Sequence, residues 1–138
     1  MRIAIRYYTR SKKGNTLKLA NVVSEVAKVE ALTIENDLQE ETEILFLVNA
    51  MYAFDVDNQV KDFLKRNASK IKCLVNVNSA ASGASTLKSV KKVADNLNIP
   101  VSDKEYHTVA SWLALNKNRP NEDDLNRLKQ FVEGVIKQ

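Results

Sequence analysis

What most constrains this chain is an alternation: short apolar runs, each long enough for one strand, separated mostly by stretches with apolar residues at three- and four-residue steps. The segment Arg2–Tyr8 holds Ile3, Ala4, Ile5, Tyr7 and Tyr8, a run suited to an interior strand. A helix from about Thr16 to Lys28 follows, with Leu19, Ala20, Val23, Val26 and Ala27 on one face. Ala31–Ile34 reads as a second strand. Ile44–Val48 (ILFLV), the most continuously apolar stretch, has the pattern of a strand buried on both faces. The next helix opens on Asp55 or Asp57 as N-cap and turns Val60, Phe63 and Leu64 inward. Ile71–Val77 is the fourth strand, and the loop NSAASGAS leads to a helix capped by Ser85, with Leu87, Val90, Val93, Ala94 and Leu97 along it. Asn98-Ile99-Pro100 turns the chain into a fifth strand near Val101–Val109. The last helix opens on Asn121, with Glu122, Asp123 and Asp124 at its positive end and Leu125, Leu128, Val132 and Val135 as its buried stripe.

Five strands alternating with helices predict one α/β domain over residues 1–138, a three-layer α/β/α sandwich on a five-stranded parallel sheet. The link from Glu35 to Glu43 is shorter than the dozen or so residues a parallel crossover usually takes, so a single turn or an irregular segment is expected there.

Composition narrows the function classes. Hydrophobic residues make up 44% and charged residues 28%, as in ordinary soluble domains. No apolar run approaches the roughly 18–20 residues of a membrane helix. The start, MRIAIRYYTR, is too short and too interrupted by arginine for a signal peptide, so a cytoplasmic location is the expectation. With one cysteine, Cys73, the sequence cannot form an intrachain disulfide or a cysteine zinc cluster, and KCLVNV makes Cys73 a buried small hydrophobe. The single histidine, His107, rules out a multi-histidine metal site. Net charge is +4: residues 1–69 carry ten basic and ten acidic side chains, residues 70–138 eleven and seven. Basic runs with interleaved aromatics are missing, so nucleic acid is not an expected partner and the imbalance bears on docking surfaces.

In an open parallel sheet, ligands bind beyond the carboxyl ends of the strands, where strand order reverses. The first loop sits there and reads Thr9-Arg10-Ser11-Lys12-Lys13-Gly14-Asn15-Thr16, hydroxyls and a glycine running into a helix N-terminus. Backbone N–H groups and the helix dipole attract a phosphate, Gly14 permits close backbone approach, and the hydroxyls add donors. A Gly-Lys-Ser/Thr ending is lacking, which disfavours a nucleoside-triphosphate loop, and so is Gly-x-Gly-x-x-Gly, which disfavours a dinucleotide fingerprint.

Three stretches in order, YYTRSKKGNT followed by LKLA, then ILFLVNAMYAFDVD, then NRPNEDDLNRLKQF, resemble the phosphate loop, the third strand with its aromatic flavin loop, and the last-helix opening of the flavodoxin family. The resemblance spans nearly the whole chain and implies strand order 2-1-3-4-5 and FMN as cofactor. It departs at Lys12 and Lys13, which stand where the family has one threonine or nothing. Either Ser11 starts the loop with Lys13 replacing the threonine, or Thr9-Arg10-Ser11 matches the hydroxyl triplet with the lysines inserted. The lysines then either reach the phosphate as point charges or face water. By resemblance, Ala50, Met51, Tyr52, Ala53 and Phe54 border the flavin, with Tyr52 the first aromatic wall and Phe54 a second wall or a core anchor. The loop of Asn78, Ser79, Ala80 and Gly83 offers backbone amides to the isoalloxazine edge but no aromatic ring. Trp112 is either the missing wall or a buried structural residue.

The function implied is an FMN-binding electron carrier that meets redox partner proteins, as a monomer or weak dimer. The alternatives are an FMN-dependent oxidoreductase using NAD(P)H and a binding domain of the same fold that has lost flavin. Flavodoxins are typically acidic, so a net charge of +4 implies partners with a different surface.

Overall fold

The computed structural model describes residues 1–10, 14–51, 55–111 and 118–137. Among them, β1 (Ile3–Tyr7), β2 (Ala31–Thr33), β3 (Ile44–Ala50), β4 (Leu74–Ala80) and β5 (Tyr106–Val109) form one sheet in the order β2-β1-β3-β4-β5. Every neighbouring pair is parallel. The helices are α1 (Asn15–Ala27), α2 (Asn58–Asn67), α3 (Leu87–Asn96) and α4 (Glu122–Ile136). The expected sandwich is what forms, strand order included.

Alternation along the central strands assigns the two cores. Ile5, Phe46, Val48, Val75 and Val77 point to one face, where Leu19, Ala20 and Val23 of α1 and Leu128 and Val132 of α4 cover them. Ala4, Leu45, Leu47 and Leu74 point to the other, beneath Val60, Phe63 and Leu64 of α2 and Val90 and Ala94 of α3. A central strand must therefore be apolar at successive positions, which is why ILFLV carries no alternation. The two helical layers differ in charge. On α2 and α3 six basic side chains stand against two acidic ones; on α1 and α4 three stand against five. No helix among the described residues is long and apolar enough to cross a membrane.

Boundaries move where tertiary contacts override pattern. β3 runs on past Val48 to Ala50, and β4 occupies 74–80 rather than 71–77. Ile71 is buried, but it lies in an extended segment joined to Thr42 by one isolated bridge. The fifth strand shrinks to Tyr106–Val109, with Val101 keeping an isolated bridge to Leu74. The link from β2 to β3 is irregular. Arg6 holds it by donating from Nε to the Asn36 carbonyl (2.8 Å), and Asn67 by accepting from the Leu38 N–H (2.9 Å). Cys73 precedes β4 and is half-buried rather than buried. Burial still pushes its thiol up, away from a reactive thiolate.

Candidate functional site at the strand-order reversal

From β1 the chain crosses to β2 on one side and then returns to β3 on the other. The loops leaving β1 and β3 therefore diverge to opposite faces of the sheet and open a crevice between them. The phosphate loop expected from the sequence leaves β1 at this point. Ser11, Lys12 and Lys13 in that loop, Tyr52, Ala53 and Phe54 after β3, and Trp112 lie outside the described residues.

What borders them is well defined. Gly14 is the N-cap of α1 and sits in the left-handed region at φ 79°, where glycine is the residue without a steric penalty. A Cβ built on Gly14 would meet nothing within 4 Å, so the space beside it is open. Among the described residues, no side chain caps α1. By contrast, Asp57 caps α2 by accepting from the Gln59 N–H (2.8 Å), and Asn121 caps α4 in a reciprocal capping box with Asp124. Among the described residues, the leading N–H groups of α1 thus lack the side-chain acceptor that α2 and α4 have, and a helix end of that kind suits an anion. Thr16, in the first turn, is buried. Thr16 is not the cap.

Two contacts brace this loop from opposite sides. Arg10 Nε donates to Asp57 Oδ2, so the first loop is tied across the crevice to the cap of α2. The Arg10 side chain is 60% exposed and that of Asp57 4%, so the buried carboxylate holds the exposed guanidinium. At the other end, Asn15 Nδ2 donates to the Ser111 carbonyl (3.2 Å) and hydroxyl (2.9 Å), joining the first turn of α1 to the segment after β5. Ser111 N–H in turn donates to the Arg119 carbonyl (2.9 Å), next to the opening of α4. There Asp124 accepts both arms of Arg119 (2.6 and 2.9 Å) and one from Arg127 (3.0 Å). Burial pushes the Asp124 carboxyl up, but Arg119, the Asn121 N–H and Arg127 outweigh it and hold the pKa at about 2.

The loop after β4 is built on a buried polar cluster. Asn49 Nδ2 donates to Asn76 Oδ1 (2.8 Å), Asn76 Nδ2 to Thr86 Oγ1 (3.0 Å), and Thr86 Oγ1 to Asn49 Oδ1 (2.7 Å), closing a ring. Asn78 joins it by accepting from the Thr86 N–H (3.0 Å) and donating to the Ala84 carbonyl (2.9 Å). Asn78 is fully buried, and Ser79 and Ala80 nearly so, so the side chain of Asn78 shapes the loop from beneath. Gly83 has a local reason to be glycine: φ is 79°, and a Cβ there would lie 3.0 Å from Val109 Cγ2. His107 is exposed, with Nδ1 2.7 Å from the Gly83 carbonyl oxygen. Ser85 does take the Leu87 N–H (2.9 Å), while the N-cap of α3 is Thr86.

On the remaining side, Ala50 and Met51 are half-buried at the end of β3, and the Met51 N–H donates to the Ser79 carbonyl (3.2 Å). Asp55 follows, its pKa lowered to about 2 by hydrogen bonds from Lys61 and Ser89 and from the Val56 N–H, against the opposing effect of burial. The Arg10–Asp57 and Asn15–Ser111 contacts were not foreseen, and no local pattern announces them. The asparagine cluster left a trace in LVNVNS, two asparagines at alternate positions of an otherwise apolar strand.

No family model matches the sequence, and no curated protein matches it. Solved structures do resemble the fold. A flavodoxin from the domain Archaea superposes with a TM-score of 0.76 at 13% identity, covering 99% of this chain and 97% of that one. Oxidised flavodoxin 2 from Bacillus cereus gives 0.70 at 11%, covering 99% of each. An NADH:FMN oxidoreductase in its apo form gives 0.64 at 14%, covering 96% and 86%. The chain has a flavodoxin-like fold.

Proposed function

We propose that this flavodoxin-like chain binds FMN through its phosphate and serves as an electron carrier. One observation carries the reading. At the strand-order reversal, α1 begins, among the described residues, without a side-chain cap, behind a left-handed glycine with open space beside it and ahead of a buried threonine. Those groups fit a phosphate, which accepts several hydrogen bonds and favours the positive end of a helix. When bound, FMN supplies reversible acceptance of one or two electrons.

The chain's own residues do the rest. Gly14 lets the backbone turn around the phosphate, and Thr16 donates its hydroxyl. Asp57 keeps Arg10 at the mouth of the crevice, where its charge adds to the attraction for an anion. Asn15 and Ser111 stop the first turn of α1 from shifting when the ligand enters. The asparagine–threonine ring holds the loop after β4, so its backbone groups meet the ring edge without reorganising. Tyr52 and Phe54 are the proposed aromatic walls.

The experiment compares FMN with riboflavin by fluorescence quenching of each on the apo-protein. FMN is expected to bind roughly 10- to 150-fold more tightly for each charge-assisted bond to the phosphate. Equal affinity for the two would remove the phosphate cradle. The second reading, an FMN-dependent oxidoreductase, draws on the similarity to the NADH:FMN oxidoreductase fold. Steady turnover of NAD(P)H by the purified FMN-loaded protein alone would decide for it.

A further inference from the structure

The chain's one histidine, His107, has no part in the phosphate cradle, yet it stands against the loop after β4. Among the described residues β5 is an edge strand on β4, with Asn78 in register with His107 and Ala80 with Val109. Three alternate residues along this edge, Glu105, His107 and Val109, meet the loop at residues 83–85. The Ser85 hydroxyl donates to Glu105 Oε1. His107 Nδ1 lies 2.7 Å from the Gly83 carbonyl oxygen. Val109 Cγ2 would lie 3.0 Å from a Cβ on Gly83, so glycine is what lets the strand come this close. From the inner side, Asn78 donates to the Ala84 carbonyl (2.9 Å). Two successive carbonyls are thus bonded by side chains of different strands, Ala84 by a buried one on β4 and Gly83 by an exposed one on β5. Gly83, at φ 79°, is where this backbone rotates most freely, and its peptide is the one that His107 bonds.

We infer that His107 is a positioning residue for the flavin site: it clasps the Gly83 peptide and so fixes the turn that would meet the isoalloxazine edge. The inference rests on the proposed function for what the turn meets, and on the contacts of β5 for the clasp itself. The Gly83 N–H donates back to the Ala80 carbonyl (3.0 Å), so holding the Gly83 carbonyl holds the whole turn of residues 80–83. A carbonyl oxygen only accepts, so Nδ1 carries the hydrogen, and in the neutral ring Nε2 keeps the lone pair. A ring free in water favours the opposite form, with the hydrogen on Nε2, so the tautomer reports the bond. Without the clasp the Gly83 carbonyl turns to water, and the turn must be ordered afresh when a ligand enters. That ordering is subtracted from affinity. The clasp acts at the ring edge, on a different loop from the phosphate cradle at α1. Its loss therefore weakens FMN and riboflavin by the same factor.

The first arm of the test uses the flavin-free protein, isotope-labelled and held where the histidine ring is neutral. Its ring-nitrogen shifts are expected to show the hydrogen on Nδ1; the Nε2–H form would overturn the clasp. Amide exchange at Gly83 and Ala84 is expected to accelerate in His107→Leu and to return to the original rate in His107→Asn. Asparagine restores the donor, because its Nδ2 stands as many bonds from the backbone as the Nδ1 of histidine. His107 is exposed, so both variants leave the core intact. The second arm titrates each protein with FMN and with riboflavin. His107→Leu is expected to weaken both by one common factor, roughly 2- to 12-fold for the loss of a single neutral hydrogen bond, with His107→Asn close to the original. Unchanged flavin affinity in His107→Leu, or a loss confined to FMN, would overturn the positioning role. If the unaltered protein binds neither flavin, the cofactor reading falls and the clasp loses its ligand, while the flavin-free arm still decides whether His107 holds Gly83.

Discussion

The two faces of the central strands are built on different principles. Toward α1 and α4, β3 and β4 present Phe46, Val48, Val75 and Val77, apolar to the carboxyl end of the sheet. Toward α2 and α3 the same strands begin with Leu45, Leu47 and Leu74 and end with Asn49, Asn76 and Asn78. The first face is held by burial alone, which has no preferred direction and tolerates small slides. The second changes, toward the carboxyl ends of the strands, to directional bonds that allow one arrangement. Burying an amide without a partner costs about 1–3 kcal/mol, so such a cluster persists only when complete. Among the described residues, no buried side-chain nitrogen or oxygen is left without a partner. The comparison teaches that both faces are held by apolar burial, while one adds polar groups that shape a loop.

The largest effect that would sharpen this contrast belongs to the apolar face. Phe46→Ala is expected to cost about 3–5 kcal/mol, with amide exchange accelerated across the whole sheet, as denaturant melts and exchange rates would record. Asn76→Ala removes one acceptor from Asn49 Nδ2 and the donor to Thr86 Oγ1, and is expected to cost roughly 1–3 kcal/mol, with faster exchange concentrated in residues 81–86. If exchange rises evenly in both variants, the faces do not differ in kind.

The third effect separates neutral bonds from charged ones. On the α4 side the directional contacts sit outside the sheet, in the single carboxylate of Asp124, held at about 2 from an ordinary 3.8. A folded-state pKa below the unfolded one gives stability that is present above about pH 4 and disappears as pH falls through 4 toward 2. The shift corresponds to roughly 2 kcal/mol. Asp55 is also held near 2, but its side chain is 49% exposed and water screens its pairing with Lys61, so it contributes less. Acid is therefore expected to loosen α4 before the uncharged asparagine ring. Asp124→Asn should remove most of that pH dependence, and an unaltered acid limb in the variant would refute the assignment to Asp124.

The smallest effect on stability, and the most informative for function, is at Thr16. It is buried in the first turn of α1, beside the crevice. Thr16→Ala is expected to change stability by no more than about 0.5 kcal/mol while weakening FMN by roughly 10- to 150-fold. A large fall in melting temperature with unchanged FMN affinity would return Thr16 to the apolar face as a packing residue.

Periodicity alone was enough to read the sheet, the helices and their inward faces, because apolar residues at the spacing of a strand or a helix can be buried in few ways. It also located the loop ahead of α1 and its glycine. The ends of β3, β4 and β5 were read less well. Asn49, Asn76 and Asn78 look like strand breakers until Thr86 and Ala84 are known to receive them, and Ile71 looks like strand although it reaches only Thr42. Asp57 and Asp55 were equal candidates for the cap, and geometry chose Asp57.

What the sequence by itself determined is the set of elements, the wrapping of apolar helices onto a parallel sheet, and the position of the glycine-bearing loop ahead of α1. These follow from local spacing and from the solvent's exclusion of apolar surface. Only the tertiary structure decided that Arg10 meets Asp57, that Asn15 meets Ser111, and that three asparagines close on Thr86. Arg10 and Asp57 are 47 residues apart, and Asn15 and Ser111 are 96 apart. Contacts at such separations depend on strand order and register, which no single segment contains.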